Sequence, residues 1–149
     1  MVFDGSSFAL DKNGNCISHC KSFEEDILYT DLASHSTKHI KYATKCEDLF
    51  NALCLGIKDY FEKTKNKEAV IGLSGGIDSA VVACIASYAL GNKSVYGVSM
   101  PSKFSSEHSK FDAEELAKNL NINYQSISIQ NIVDKLEEEL SESFSGTSR

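Results

Sequence analysis

Two kinds of hydrophobic pattern divide the chain. Beyond residue 46, short apolar runs alternate with stripes at helical spacing, whereas before it the apolar residues come in brief, broken groups. Leu49, Phe50, Leu53, Cys54, Ile57, Tyr60 and Phe61 recur on one side of a 3.6-residue period and predict an amphipathic helix over residues 47–63. That helix is read as structural, packing on a sheet or on a partner subunit. Ala69-Val70-Ile71-Gly72-Leu73 suits a strand buried on both faces, and residues 79–89, apolar almost all round, suit a buried helix closed by Gly91-Asn92. Residues 93–100 and 124–129 read as two further strands. Ala113, Leu116, Ala117 and Leu120 mark a helix between them, with Ser109-Lys110-Phe111-Asp112 as its capping box. Ile132, Val133, Leu136 and Leu140 mark a last helix, whose run Glu137-Glu138-Glu139 reads as a solvated face.

Strand and helix in alternation argue an α/β fold with a doubly wound parallel sheet. Ligands of such sheets bind at the carboxyl ends of the strands, where residues 74–79 and 100–108 both fall.

The opening residues follow a different pattern. Ser7-Phe8-Ala9-Leu10 and Cys16-Ile17-Ser18-His19 flank Asp11-Lys12-Asn13-Gly14, a loop with hairpin chemistry, and residues 27–32 are a third candidate strand. Three short strands with so few large apolar residues do not build a core alone, so residues 1–32 read as the edge of something larger. Residues 33–39 are small, polar and unpatterned, as in a linker.

At 149 residues the chain has room for one modest domain, or for a domain and a fragment, and its 42% hydrophobic content supports a packed core. A net charge of −6 argues against a general nucleic-acid surface. No apolar run is long enough to suggest a membrane span or a signal peptide. The five cysteines (16, 20, 46, 54 and 84) lack Cys-x-x-Cys spacing and read as reduced cytoplasmic thiols. Cys16, His19 and Cys20 could suggest zinc, as could His35 and His39 four residues apart, but neither group has the second half of a ligand set.

The chemistry concentrates in Gly72-Leu73-Ser74-Gly75-Gly76-Ile77-Asp78-Ser79. A strand that runs through a glycine turn into a helix presents backbone N–H groups and a positive dipole end, which suits phosphate. Gly75 and Gly76 have no Cβ to block a ligand's approach. The turn lacks the Gly-Lys-Ser/Thr ending of a Walker A loop and the spaced glycines of dinucleotide-binding folds. The bland alternative is a turn that only packs a helix closely on a strand.

Ser74-Gly75-Gly76-Ile77-Asp78-Ser79 resembles the pyrophosphatase loop of the adenine nucleotide α-hydrolase-like, Rossmann-like families, which split ATP into AMP and pyrophosphate. Two further segments narrow the resemblance. Residues 100–109, Met-Pro-Ser-Lys-Phe-Ser-Ser-Glu-His-Ser, followed by Asp112-Ala113, resemble the matching segment of glutamine-dependent NAD⁺ synthetases. Val2-Phe3-Asp4-Gly5-Ser6-Ser7-Phe8, residues 11–14 and Phe23-Glu24-Glu25-Asp26 resemble the closing strands of the nitrilase-type glutaminase domain that precedes the synthetase domain in that family. The implied plan is a glutaminase remnant over residues 1–32, a linker over 33–45 and the first part of a synthetase domain over 46–149.

The resemblance implies ATP-dependent amidation of deamido-NAD⁺, through an adenylate, with ammonia drawn from glutamine. It implies ATP contacts at Gly72, Leu73, Ser74, Gly75, Gly76, Ile77, Asp78 and Ser79. It also implies a Mg²⁺ ligand in Asp78 and backbone neighbours of adenine in Val98 and Met100. Glu107 and His108 border the site without an assigned role. It implies a cytoplasmic homo-oligomer with small-molecule partners, no nucleic acid and no membrane. The family's glutaminase triad and its deamido-NAD⁺ ligands are expected outside these 149 residues, so the chain as given is expected to bind ATP weakly and not to make NAD⁺. The alternatives are another enzyme with the same loop, acting on a nucleotide or a tRNA base, and a non-catalytic ATP-binding module.

Overall fold

The computed structural model describes residues 1–32 and 43–141; the expected linker, with His35 and His39, lies mostly outside them. The chain forms two compact units, Met1–Lys63 and Thr64–Arg149.

In the first unit, β1 (Phe8–Leu10) and β2 (Cys16–His19) pair antiparallel, Phe8 opposite His19 and Ala9 opposite Ser18, with a bulge between Ala9 and Leu10. The hairpin turn is held by Asp11, whose Oδ1 accepts from the N–H groups of Asn13 and Asn15 at 2.8 Å each. This is the turn chemistry expected of a short acidic side chain. The third strand expected over residues 27–32 does not form. Side chains tie that stretch down instead: Asp26 Oδ2 accepts from Lys21 N at 3.0 Å, and the hydroxyls of Thr30 and Ser18 lie 2.6 Å apart. Ile27, Tyr29 and Leu32 remain exposed, so no apolar face selects a register there.

Helix α1 (Lys45–Thr64) begins two residues before the expected start. Thr44 and Glu47 make a reciprocal capping box, with Thr44 N donating to Glu47 Oε2 at 2.7 Å and Glu47 N to Thr44 Oγ1 at 3.2 Å. Of its apolar stripe, Cys54 is buried while Leu49, Leu53 and Tyr60 are exposed.

The second unit is a three-stranded parallel sheet with helices between the strands. The order is β3 (Ala69–Gly72), α2 (Ile77–Leu90), β4 (Val95–Ser99), α3 (Glu107–Asn119), β5 (Asn123–Ser126) and α4 (Gln130–Leu140). β3 pairs with β4 from Ala69–Val95 to Gly72–Val98, and β4 with β5 from Tyr96–Asn123 to Ser99–Ser126. β4 is shorter than expected because residues 92–94 wind into a single 3₁₀ turn after the Gly91 cap. The third strand begins one residue early and ends at Ser126, after which Ile127 N and Ile129 N still bond to Ser99 O and Pro101 O.

Leu73, Ala83, Ala113 and Ala117 form the core, with Ile71, Leu116, Leu120, Ile122 and Tyr124 packed around it. Three of the four core residues are alanines, so α2 and α3 approach the sheet closely, and Leu73 fills the space they leave. A Cβ on Gly97 would sit 2.5 Å from Leu73 Cδ1, so glycine at 97 in β4 makes room for that leucine. Full burial of such a side chain contributes about 1.5–3 kcal/mol.

This core lies on one sheet face. Val70, expected to be buried, points to the other face and is 74% exposed. The apolar surface of α2 is likewise only partly covered: Ala83, Ile85 and Ala86 are buried, but Ile77, Val81, Val82 and Tyr88 are exposed. Neither expectation of all-round burial holds among the described residues.

Candidate functional site

The turn expected to hold phosphate lies between β3 and α2, at the carboxyl edge of the sheet. α2 has Gly76 as its N-cap in extended conformation, with no side-chain cap. The first turn therefore keeps its N–H groups and the positive dipole end directed out of the helix.

Two serines hold the loop in shape. Ser79 Oγ accepts from Ser74 N at 3.3 Å, donates to Gly76 O at 3.0 Å and lies 3.1 Å from Ser74 Oγ. Ser74 Oγ in turn accepts from Gly76 N at 3.2 Å. The hydroxyls assigned to phosphate from the sequence are thus also the internal bracing of the loop.

The two glycines differ. Gly75 has φ +79°, and a Cβ there would lie 2.6 Å from Ser109 Cα and 2.8 Å from its carbonyl carbon. Both the left-handed backbone and the contact with the first turn of α3 demand glycine. Gly76 has φ −90°, and its Cβ would meet only Ser74 Oγ at 3.3 Å. The sequence reading gave both glycines to ligand approach. In Gly75 the packing of loop on helix is an additional reason.

Two cavities flank the loop. One, of about 120 Å³, lies between the ends of β3 and β4 and is lined by Ser74, Ser99, Met100, Ser105, Ser109 and Lys110 among others. Its lining is rich in serines, and it is smaller than a whole-nucleotide pocket, which runs to about 300 Å³ or more. The other, of about 330 Å³, is lined by Gly75, Gly76, Ile77, Asp112 and Glu115 among others.

The residues expected at the site distribute as follows. Leu73, Ser74 and Met100 line the smaller cavity, and Gly75, Gly76 and Ile77 the larger. A Cβ on Gly72 would lie 3.7 Å from Met100 Cε, which places those two side by side. Val98 O accepts from Leu73 N at 2.8 Å and so continues the sheet into the loop. Asp78 is an exposed carboxylate in the first turn of α2.

Ser99, Ser105, Ser109 and Lys110 line a cavity, although the sequence reading gave none of them a place in the site. The capping box was also placed one turn late. α3 starts at Glu107 and its N-cap is Ser106, whose Oγ accepts from Ser109 N at 3.1 Å. The signal was present as a serine three residues ahead of another. Glu107 pairs with Lys110 at 2.7 Å, and that ammonium holds its carboxyl below the usual carboxylate range. Glu137 is not simply solvated either: it takes Lys103 Nζ at 2.5 Å, while Lys103 N donates to Gln130 Oε1 at 2.5 Å. These contacts tie the loop after β4 to α4.

Among the described residues no group of three or more His, Cys, Asp or Glu could hold a metal ion. The site still suits Mg²⁺, which takes one or two carboxylates and completes its octahedron with phosphate oxygens and water. Asp78 offers such a carboxylate beside the loop. Among the same residues no helix is long and apolar enough to cross a membrane.

A parallel α/β sheet with a glycine-turned, serine-braced loop leading into a helix end without a side-chain cap has the geometry that suits an anion such as phosphate. The chain belongs to the NAD synthase family, whose model matches residues 49–148. It is 46% identical over 135 residues to the glutamine-dependent NAD(+) synthetase of Synechocystis sp., covering 87% of this chain and 24% of that protein. It is 34% identical over 183 residues to the enzyme of the same name from Thermotoga maritima, covering 98% of this chain and 32% of that protein. The structure of glutamine-dependent NAD+ synthetase from Acinetobacter baumannii in complex with ADP superposes with a TM-score of 0.88 at 30% identity, covering 99% of this chain and 29% of that one. The chain therefore spans about a quarter to a third of the length of the relatives it matches.

Proposed function

We propose that this chain supplies the ATP-phosphate site of an enzyme that amidates deamido-NAD⁺ to NAD⁺. The observation that carries the reading is the loop of residues 74–79, braced by Ser74 and Ser79 at the carboxyl end of β3 and opening on the uncapped end of α2, in a chain of the NAD synthase family.

The reaction begins when a carboxylate oxygen of the nicotinate group attacks the α-phosphorus of ATP. The α–β phosphoanhydride bond breaks and pyrophosphate leaves with its electron pair. Ammonia then attacks the carbonyl carbon of the adenylate, AMP departs, and the amide nitrogen loses a proton. Glutamine supplies the ammonia, in keeping with the name glutamine-dependent NAD(+) synthetase that the relatives carry.

The residues here serve the first step. The N–H groups of Gly75 and of Ile77 through Ser79, with the dipole of α2, receive charge on the phosphates. Ser74 and Ser79 keep those groups aligned. Asp78 would hold Mg²⁺, which when bound offsets the charge of the departing pyrophosphate. Gly72, Leu73, Val98 and Met100 form the strand ends against which the adenosine lies. The proposed plan keeps residues 1–32 as the closing strands of a glutaminase domain, residues 33–45 as a linker and residues 46–149 as part of the synthetase domain. The setting is a cytoplasmic homo-oligomer, in keeping with five unbridged cysteines.

An acceptor panel tests this reading. The full-length protein is given MgATP and ammonia with deamido-NAD⁺, xanthosine monophosphate or tRNA, and AMP release is followed. Release with deamido-NAD⁺ alone is expected. Release with another acceptor would make it a different pyrophosphatase-loop enzyme, and ATP binding without AMP release from any acceptor would make it a binding module.

A further inference from the structure

The segment after β4 has a second role beside bordering the nucleotide. Its cap residue, Ser106, stands two steps from the phosphate loop through direct contacts. Ser106 Oγ accepts from Ser109 N at 3.1 Å and lies 2.9 Å from Ser109 Oγ, while Ser106 O accepts from Lys110 N at 3.3 Å. These bonds fix the first turn of α3. The backbone of Ser109 in that turn is what the α-carbon of Gly75 rests on, with no room even for a methyl group. Gly75 lies between Ser74 and Gly76, and both their amides and the Ser74 hydroxyl are bonded into the brace around Ser79.

We propose that Ser106 is a positioning residue for ATP: its cap sets the Ser109 backbone as a backstop, and the backstop sets the phosphate loop. This rests on the ATP-site reading above. The backstop is backbone rather than side chain, so its position depends on how the turn is capped. A first turn without its cap frays more readily, because the Ser109 N–H, the one that the Ser106 hydroxyl serves, loses its partner. Fraying at Ser109 would let Gly75 settle away from the geometry that receives phosphate. The effect falls on ATP binding and not on the later attack by ammonia, which takes place after pyrophosphate has gone.

The test is a KM-against-kcat comparison in the full-length protein, with pyrophosphate release measured against ATP concentration. Ser106→Ala raises KM for ATP about fivefold, the factor that corresponds to the loss of one N-cap, and leaves kcat within about twofold. Ser106→Thr, which keeps a capping hydroxyl, restores the wild-type value. Ser106→Gly, a milder loss, falls between wild type and Ser106→Ala and serves in its place should the alanine variant not fold. Thr44→Ala removes an equivalent cap from α1 and lowers thermal stability without moving KM for ATP. An unchanged KM in both Ser106→Ala and Ser106→Gly, or an equal rise in Thr44→Ala, overturns the inference. If the wild-type protein releases no pyrophosphate from ATP at all, it is the proposed function that fails instead.

Discussion

Gly75 and Ser109 meet backbone to backbone: a Cβ on the glycine would lie 2.6 Å from the Cα of the serine. The contact joins the glycine-turned loop after β3 to the first turn of α3. It makes the loop's shape a property of two elements that lie more than thirty positions apart in the sequence. The two glycines of the loop should therefore respond differently to substitution. Gly75→Ala meets both a left-handed backbone, which costs an alanine about 1–2 kcal/mol, and overlap with the Ser109 backbone. A stability loss above about 2 kcal/mol in urea unfolding is expected, with a raised KM for ATP. Gly76→Ala sits at φ −90° and should cost less than about 1 kcal/mol. Equal losses in the two variants would contradict this account of the loop.

Ser79 joins the two ends of the same loop. Its hydroxyl serves Ser74 N, Gly76 O and Ser74 Oγ, and Ser79→Ala removes all three contacts at once. With each net hydrogen bond contributing about 0.5–1.5 kcal/mol, KM for ATP should rise about tenfold while the protein stays folded. Isothermal titration with a non-hydrolysable ATP analogue reads the same change as a Kd. An unaltered Kd would remove Ser79 from the phosphate site.

The sequence carried much of this reading, for identifiable reasons. The order of strands and helices from residue 47 onward was legible, because apolar periodicity changes from runs to stripes at each element. The loop was legible because two glycines framed by Ser74, Asp78 and Ser79 have few structural uses. What misled was burial. Val70 and Val81 look like core residues in composition, yet they are exposed, since β-branched residues signal a strand or an apolar helix without telling which face is covered. The cap of α3 was read at Ser109 because Asp112 completes a capping box with it, while Ser105 and Ser106 offer equally good caps one turn earlier that spacing alone does not select. The Lys103–Glu137 pair was beyond reach, since it depends on how a loop and α4 meet in space. The packing reason for Gly75 was hidden for the same cause.

Asp78 is the carboxylate assigned to Mg²⁺. Asp78→Asn keeps the size of the side chain but gives up the charge, so the concentration of Mg²⁺ needed for half-maximal pyrophosphate release should rise at least about tenfold. A titration at fixed ATP, corrected for MgATP formation, makes the comparison. If half-saturation does not move, Asp78 is not the ligand.

Cys54 offers a check on the first unit. Burial pushes its thiol above the ordinary range, while Cys46 at the start of α1 is exposed. The folded-state pKa therefore exceeds the unfolded one. The resulting stability is fully present below the ordinary thiol value of about 8.5 and is lost as pH rises through the raised folded value. Mass spectrometry after brief treatment with a thiol reagent at pH 7 should find Cys46 modified well before Cys54, with Cys54 catching up as the pH rises. Equal modification of the two at pH 7 would mean that α1 does not bury Cys54.

The central claim is that the loop of residues 74–79 serves cleavage of ATP between its α- and β-phosphates. The most direct measurement supplies the full-length protein with ATP labelled in the α-phosphate, together with Mg²⁺, deamido-NAD⁺ and a nitrogen source, and separates the labelled products. The account predicts labelled AMP in equal amount with the NAD⁺ formed, and an equal amount of unlabelled pyrophosphate. Labelled ADP and free phosphate in step with NAD⁺ would contradict it.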